Sequence, residues 1–347
     1  MHLPNRKWNG CTASSTGYDS ARLQQREVTI LYISHKTNEI FRISDRITVL
    51  RDGQFVETLL KEKTNPREVT HLMVGREIEK VDVSAKRSAG EIVLEVENLW
   101  LPWPSHARNW RLQDISFSLR KGEILGIAGF MGAGRTELLE CIFGASKEIP
   151  RGHIRLEGNP VAFRHPNEAR RAGIAMVTED RKRRGIFADM SVRENISICT
   201  LHKALRNGLV NRTKERKLVG EMLYSLRVRT ATEEATITSL SGGNQQKTII
   251  GHWLLTNPKV LLLDDPTRGV DVGAKAELYQ LMDSLCRDGI AMILTSSELP
   301  ELLTVCDRIL VLSEGSLTAN FHRSEATEEK IMEAATLDAM AITNAQH

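Results

Sequence analysis

Within EILGIAGFMGAGRTELLECIFG, residues 123–144, an apolar run passes through a glycine-rich turn into a helix-forming stretch. Gly129, Gly132 and Gly134 let backbone amides curl around phosphates, and the N-terminus of the following helix adds partial positive charge. Thr136 supplies a hydroxyl suited to a magnesium ion. Arg135 stands where the spacing G-x-x-x-x-G-K-[ST] has lysine, and its planar fork binds phosphate with a geometry an ammonium does not share. The competing reading is a glycine turn of purely structural use. A second cluster, VLLLDDPTRGVDVGAK at 260–275, ends an aliphatic run in Asp264 and Asp265. A buried strand there would carry the Asp264 carboxylate to the magnesium region, and Asp265 would orient or deprotonate a water, unless it merely caps a turn. A third, SLSGGNQQK at 239–247, opens a helix on Ser241. Ser241 is placed to cap that helix while Gly242 and Gly243 leave amides open to an anion.

These loops need a scaffold that delivers strand ends and helix starts to one place. From about residue 92 to 325 apolar strand patterns alternate with helix-length segments, which argues an α/β domain around a largely parallel sheet. Residues 200–240 lack strand signals and read as an inserted helical subdomain. A repeat organises the rest: VTILYISHKTNEIFRISDRITVLRDGQFVE (28–57) and AMILTSSELPELLTVCDRILVLSEGSLTA (291–319) each read as buried strand, polar turn, helix, Asp-Arg, strand and glycine turn. The chain therefore reads as the tail of one domain followed by a whole copy. The expected boundaries are disorder over 1–26, a remnant over 27–80, a linker over 81–91, the complete domain over 92–340 and a tail over 341–347.

A net charge of +3 offers little long-range attraction to nucleic acid, and Arg181-Lys182-Arg183-Arg184 reads as a solvated loop. Five widely spaced cysteines without C-x-x-C fit neither a disulfide framework nor a zinc site, which points to a reducing compartment. No stretch approaches the roughly 18 to 20 apolar residues of a membrane-spanning helix, and residues 1–26 lack the apolar core of a secretory signal.

The order of phosphate loop, LSGG, Asp264 strand and repeat resembles the ATPases of ABC transporters, the LSGG string being similar to their signature motif. GAGRTELLE, VTEDRKRRGIF, LSGGNQQK and PTRGVDVGAK together resemble the second nucleotide-binding domain of tandem ATPases that drive ribose-, galactose- and xylose-type sugar importers. The resemblance implies a P-loop NTPase of ABC ATPase type with a helical subdomain, and makes residues 27–80 the end of a first nucleotide-binding domain. It implies ATP and Mg2+ held by Gly129, Gly132, Ala133, Gly134, Arg135 and Thr136, with Asp264 as the second magnesium ligand. Ser241, Gly242 and Gly243 would meet the γ-phosphate of a partner site. Glu179 stands at the Q-loop position, Asp265 at that of the catalytic glutamate, and Ser297 at the switch, aligned with His35 of the repeat. One of Trp100, Trp103 or Trp110 would stack on adenine.

The implied function is the energy-coupling, ATP-hydrolysing subunit of a monosaccharide importer, peripheral on the cytoplasmic face of the membrane. Its partners would be transmembrane permease subunits, indirectly a sugar-binding protein, and a second nucleotide-binding domain or a second copy of the chain. No nucleic-acid partner is expected. Arg135, Asp265 and Ser297 depart together from the usual residues, which keeps open a truncated, non-hydrolysing nucleotide-binding or regulatory protein.

Overall fold

A computed structural model describes residues 29–33, 37–51, 54–66, 68–69, 72, 90–104, 106, 109–206 and 208–337. The expectations for residues 1–26, for His35 and for the 341–347 tail, and nearly all of the 81–91 linker, lie outside these residues. The chain divides into two compact units, the first Met1–Lys80 with Asp271–Gly273 and the second Val81–Val270 with Ala274–His347.

In the first unit, helix α1 (Thr37–Ile43) leads into an antiparallel hairpin of β1 (Arg46–Arg51) and β2 (Gln54–Leu60). Ile47, Val49 and Val69 form its small core. Residues 29–33, the described part of VTILYIS, do not form the expected buried strand. Residues 29–33 carry no regular structure and lie exposed, with Leu31 90% and Ile33 89% accessible. Their pattern is that of a strand, but a strand needs neighbours to take its amides and carbonyls.

The second unit is built on a ten-stranded sheet. Its strands are β3 (Ile92–Pro102), β4 (Trp110–Arg120), β5 (Ile124–Ala128), β6 (Arg151–Leu156), β7 (Asn159–Val161), β8 (Ile174–Val177), β11 (Val260–Asp264), β12 (Ala291–Thr295), β13 (Arg308–Ser313) and β14 (Ser316–His322). They lie in the order β7-β6-β3-β4-β14-β13-β5-β12-β11-β8. Only β13, β5, β12, β11 and β8 run mutually parallel, while β7, β6, β3 and β4 form an antiparallel arm. The expected largely parallel sheet is thus half of a mixed one, because Ile92–Pro102 and Trp110–Arg120 are joined by a short connection that only antiparallel strands permit. Every residue of β5, β11 and β12 is buried, which is why these strands read as unbroken apolar runs. Leu262 and Ile293 enter the core on one face, and Leu261, Leu263, Met292 and Leu294 that on the other.

The helical subdomain gathers α4 (Val192–Ser197) and α5 (Arg212–Ser225) around Val192, Ile196, Val219, Ile237 and Leu255. Ser191 and Glu194 close a reciprocal cap at the start of α4. Inside it Arg193 is buried yet satisfied, donating to Glu215 at 2.8 Å and to Glu234 at 3.0 Å. The subdomain is not wholly helical. A ribbon of β9 (Leu205–Arg206) and β10 (Leu209–Val210) interrupts it, too short to leave a periodic signal.

Candidate nucleotide-binding site

The parallel half of the sheet delivers its strand ends to one edge. Strand β5 ends at Ala128, the glycine turn follows, and helix α2 (Arg135–Phe143) begins directly after it. At Gly129 a Cβ would lie 2.5 Å from the Leu312 carbonyl oxygen, and at Gly134, with φ +102°, one would strike Leu112 Cδ2 at 2.6 Å. Both positions therefore require glycine. The loop is also held from behind: Ala133, itself buried, accepts a hydrogen bond from the Gly315 amide at 3.0 Å, and the Gly315 carbonyl accepts one from Gln113 at 2.7 Å. At Gly132 the side-chain direction opens into free space.

Thr136, in the first turn of α2, hydrogen-bonds Asp264 at the end of β11, and the Asp264 Oδ1 also accepts the Thr295 hydroxyl at 2.7 Å. Burial raises the Asp264 pKa, opposed by these two hydroxyls and by the charge of Arg135. A hydroxyl and a carboxylate side by side are the hard oxygen donors that magnesium takes together with substrate phosphates. No group of three or more His, Cys, Asp or Glu side chains among the described residues makes a self-sufficient metal site. Asp265 follows with φ +43°, an unusual conformation for a non-glycine residue, fixed by its amide donating to the Thr295 carbonyl at 3.1 Å. Arg135 does not reach freely over the loop: its Nη1 donates to the Ser296 carbonyl at 2.5 Å.

The LSGG stretch starts helix α6 (Gly242–Leu254) elsewhere on the domain. Ser241 occupies the N-cap position, but its side chain does not cap, contrary to expectation. Its Oγ instead accepts Asn244 Nδ2 at 3.0 Å, so the backbone amides at this helix start keep no side-chain partner from it. A Cβ on Gly243 would fall 2.4 Å from the Cβ of Ala274, and one on Gly242 would fall 2.9 Å from Arg181 Nη2.

A family model described as "ABC transporter" matches residues 112–268, from within β4 to the turn after Asp265. The chain is 45% identical over 315 residues to the xylose import ATP-binding protein of Moorella thermoacetica, covering 91% of this chain and 62% of that one. It is likewise 45% identical over 314 residues to the ribose import ATP-binding protein of Oceanobacillus iheyensis, covering 90% and 62%. Residues 112–268 form an ABC transporter domain. This cassette shares the fold of the ATP-binding cassette MJ0796, solved as a dimer in a post-hydrolysis state with ADP and Pi, with a TM-score of 0.57 at 20% identity over 66% of this chain and 98% of that one. The chain spans about 62% of the length of the import ATP-binding proteins it matches.

The other residues singled out from the sequence lie as follows. Glu179 forms an ion pair with Arg268 and so is tied to the loop after Asp265. Arg181 was expected in a solvated loop, but its guanidinium donates to the carbonyls of Arg268 at 2.9 Å and Gly269 at 3.3 Å. Lys182, Arg183 and Arg184 are exposed as expected. Ser297 is exposed at the end of β12, next to the buried Ser296. Of the three tryptophans, Trp103 alone connects to the phosphate loop: Arg111 lies over its ring at 4.5 Å and donates to the Gly132 carbonyl at 3.1 Å. Trp100 and Trp110 pack edge to face with each other, centroids 5.2 Å apart.

Glu301 escaped the sequence reading. It is buried in the first turn of helix α8 (Leu299–Val305), where it accepts hydroxyls from Thr267 and Ser296. A carboxylate four residues past an exposed serine carries no motif, though its place on the apolar side of a short helix was a legible warning.

Proposed function

We propose that this cassette binds ATP with Mg2+ and, with a second cassette, hydrolyses it to drive the import of a monosaccharide through transmembrane permease subunits. The observation that carries the reading is the Thr136–Asp264 pair set at the mouth of the phosphate loop, with Asp265 next in the chain. In this reading the amides of residues 129–136, including Ala133, hold the phosphates, and Thr136 and Asp264 hold the magnesium. Magnesium would neutralise charge developing on the phosphate oxygens. Asp265 orients the attacking water or accepts its proton, and Ser241, Gly242 and Gly243 meet the γ-phosphate of the ATP held by the partner cassette. Glu179 and Ser297 adjust the site, Glu179 through its ion pair with Arg268.

The sugar and the permease partners rest on the names of the relatives, which are xylose and ribose import ATP-binding proteins. The partner cassette, a second copy of the chain or another domain, is supported by the dimeric neighbour with bound ADP and Pi. A peripheral place on the cytoplasmic face accords with the finding that no described helix is long and apolar enough to cross a membrane. Residues 27–80 then correspond to the end of a first nucleotide-binding domain and residues 92–340 to the second.

A second reading, a cassette that holds ATP without cleaving it, is favoured by two observations. Arg135 is engaged by the Ser296 carbonyl, and no switch histidine stands at Ser297. Turnover by the chain with permease subunits, compared between wild type and Asp265→Asn, separates the two. Loss of about 10²- to 10⁴-fold in rate with ATP affinity kept supports hydrolysis at this site. Binding without turnover in either protein supports the holding role.

A further inference from the structure

The structure assigns Glu301 as a positioning residue that fastens the switch loop to the loop behind Asp265, an inference that rests on the ATP reading above. Its side chain is buried, and a single carboxylate oxygen, Oε2, accepts two hydroxyls. One comes from Thr267 at 2.8 Å, two residues beyond Asp265 within the turn closed by the Arg268 amide on the Asp265 carbonyl at 3.1 Å. The other comes from Ser296, the residue before Ser297. Ser296 is engaged through both of its oxygens: its carbonyl takes Arg135 Nη1 at 2.5 Å, and its Oγ takes the Glu298 amide at 3.0 Å.

One oxygen atom therefore joins the segment that bears Asp265 to the segment that bears Ser297, and through Ser296 it reaches the arginine of the phosphate loop. These three segments flank the place where the terminal phosphate of ATP would lie, whereas the diphosphate rests on the amides of the loop itself. A buried carboxylate is costly, and an apolar side chain would fill the same space with less desolvation. What an apolar residue cannot do is accept two hydroxyls from different loops and move them as one body. Glu301 thus acts through Asp265, Ser297 and Arg135 and touches no reacting atom.

The test uses the full chain and two readouts. Hydrogen exchange is followed in peptides covering residues 264–270 and 295–300 for wild type, Thr267→Val, Ser296→Ala, Glu301→Ala and Glu301→Gln. ATP and ADP affinities are measured by calorimetry on the same proteins. Thr267→Val should speed exchange at 295–300, and Ser296→Ala at 264–270. Glu301→Ala should speed both, and Glu301→Gln, which keeps an acceptor oxygen, should restore much of the protection. Glu301→Ala should weaken ATP about tenfold, the scale of a lost positioning hydrogen bond, and leave ADP unchanged. Exchange that rises only in the substituted loop overturns the inference, as does equal weakening of ATP and ADP. If wild type binds neither nucleotide the ATP reading itself fails, and the exchange coupling then decides whether Glu301 joins the two loops.

Discussion

The stretches around residues 29–60 and 291–322 carry the same alternation of apolar run, short helix, Asp-Arg and strand, yet they end in different structures. Ala291–Thr295 is hydrogen-bonded to β5 on one side and β11 on the other, and all five of its residues are buried. The matching residues 29–33 have no strand beside them among the described residues, and Leu31 stands 90% exposed. Downstream the two copies agree, since β1 pairs with β2 as β13 pairs with β14, both antiparallel with a register shift after the fourth residue. A hairpin brings its own partner. A central parallel strand does not, and its sequence expresses a strand only where the rest of a sheet receives it.

The sharpest way to break this comparison is to place one charge at equivalent points of the two copies. Ile293→Asp buries a carboxylate in β12, where the side chain is fully enclosed, and should cost more than about 4 kcal/mol or prevent folding, read from the denaturant midpoint. Next in size is the glycine turn that closes the second copy. Gly315 has φ +86° and its Cβ would lie 2.3 Å from the Arg111 carbonyl, so Gly315→Ala should cost roughly 1–3 kcal/mol and loosen the phosphate loop that its amide supports. Thermal melts, with and without ATP, check both parts.

A smaller effect comes from acid. Burial raises the carboxyl pKa values of Glu301, Glu140 and Asp264 above their ordinary 4.5, 4.5 and 3.8. The folded cassette therefore holds these protons more tightly than the unfolded chain. Their contribution to stability is fullest below those ordinary values and is lost as pH rises through the raised ones. Glu301→Gln, which cannot ionise, should show a shallower decline over that interval in urea melts at successive pH values. The smallest effect is expected in the first copy: Leu31→Asp should change stability by less than about 0.5 kcal/mol while reducing self-association by light scattering, since it breaks an exposed apolar run.

The site was legible where chemistry demands a fixed residue at fixed spacing. Gly129 and Gly134 are sterically compelled, Thr136 and Asp264 meet because a strand end and a helix start are neighbours, and Asp264 closes an unmistakable aliphatic run. The antiparallel arm was missed although both the mixed polar and apolar residues of β3 and β4 and their short connection set them apart from the unbroken apolar runs of β5, β11 and β12. Arg181 and Glu301 were missed for another reason. Arg181 reaches a backbone carbonyl 87 residues away along the chain, and Glu301 takes the Thr267 hydroxyl from 34 residues away beside that of Ser296 five residues before it, and no motif spacing announces such contacts. The role of Ser241 was misread because capping competes with Asn244, which offers its amide to the same oxygen.

The most direct test of the account is a magnesium-dependent ATP titration of the chain beside Gly132→Asp, whose Cβ would meet no heavy atom within 4 Å although its φ of +87° strains any side chain there. Saturable binding that requires magnesium in wild type, and is abolished in Gly132→Asp while that variant still melts cooperatively at a temperature lowered only by the backbone strain, is the predicted result. ATP bound equally well by Gly132→Asp would contradict it and move the nucleotide away from Gly129–Thr136.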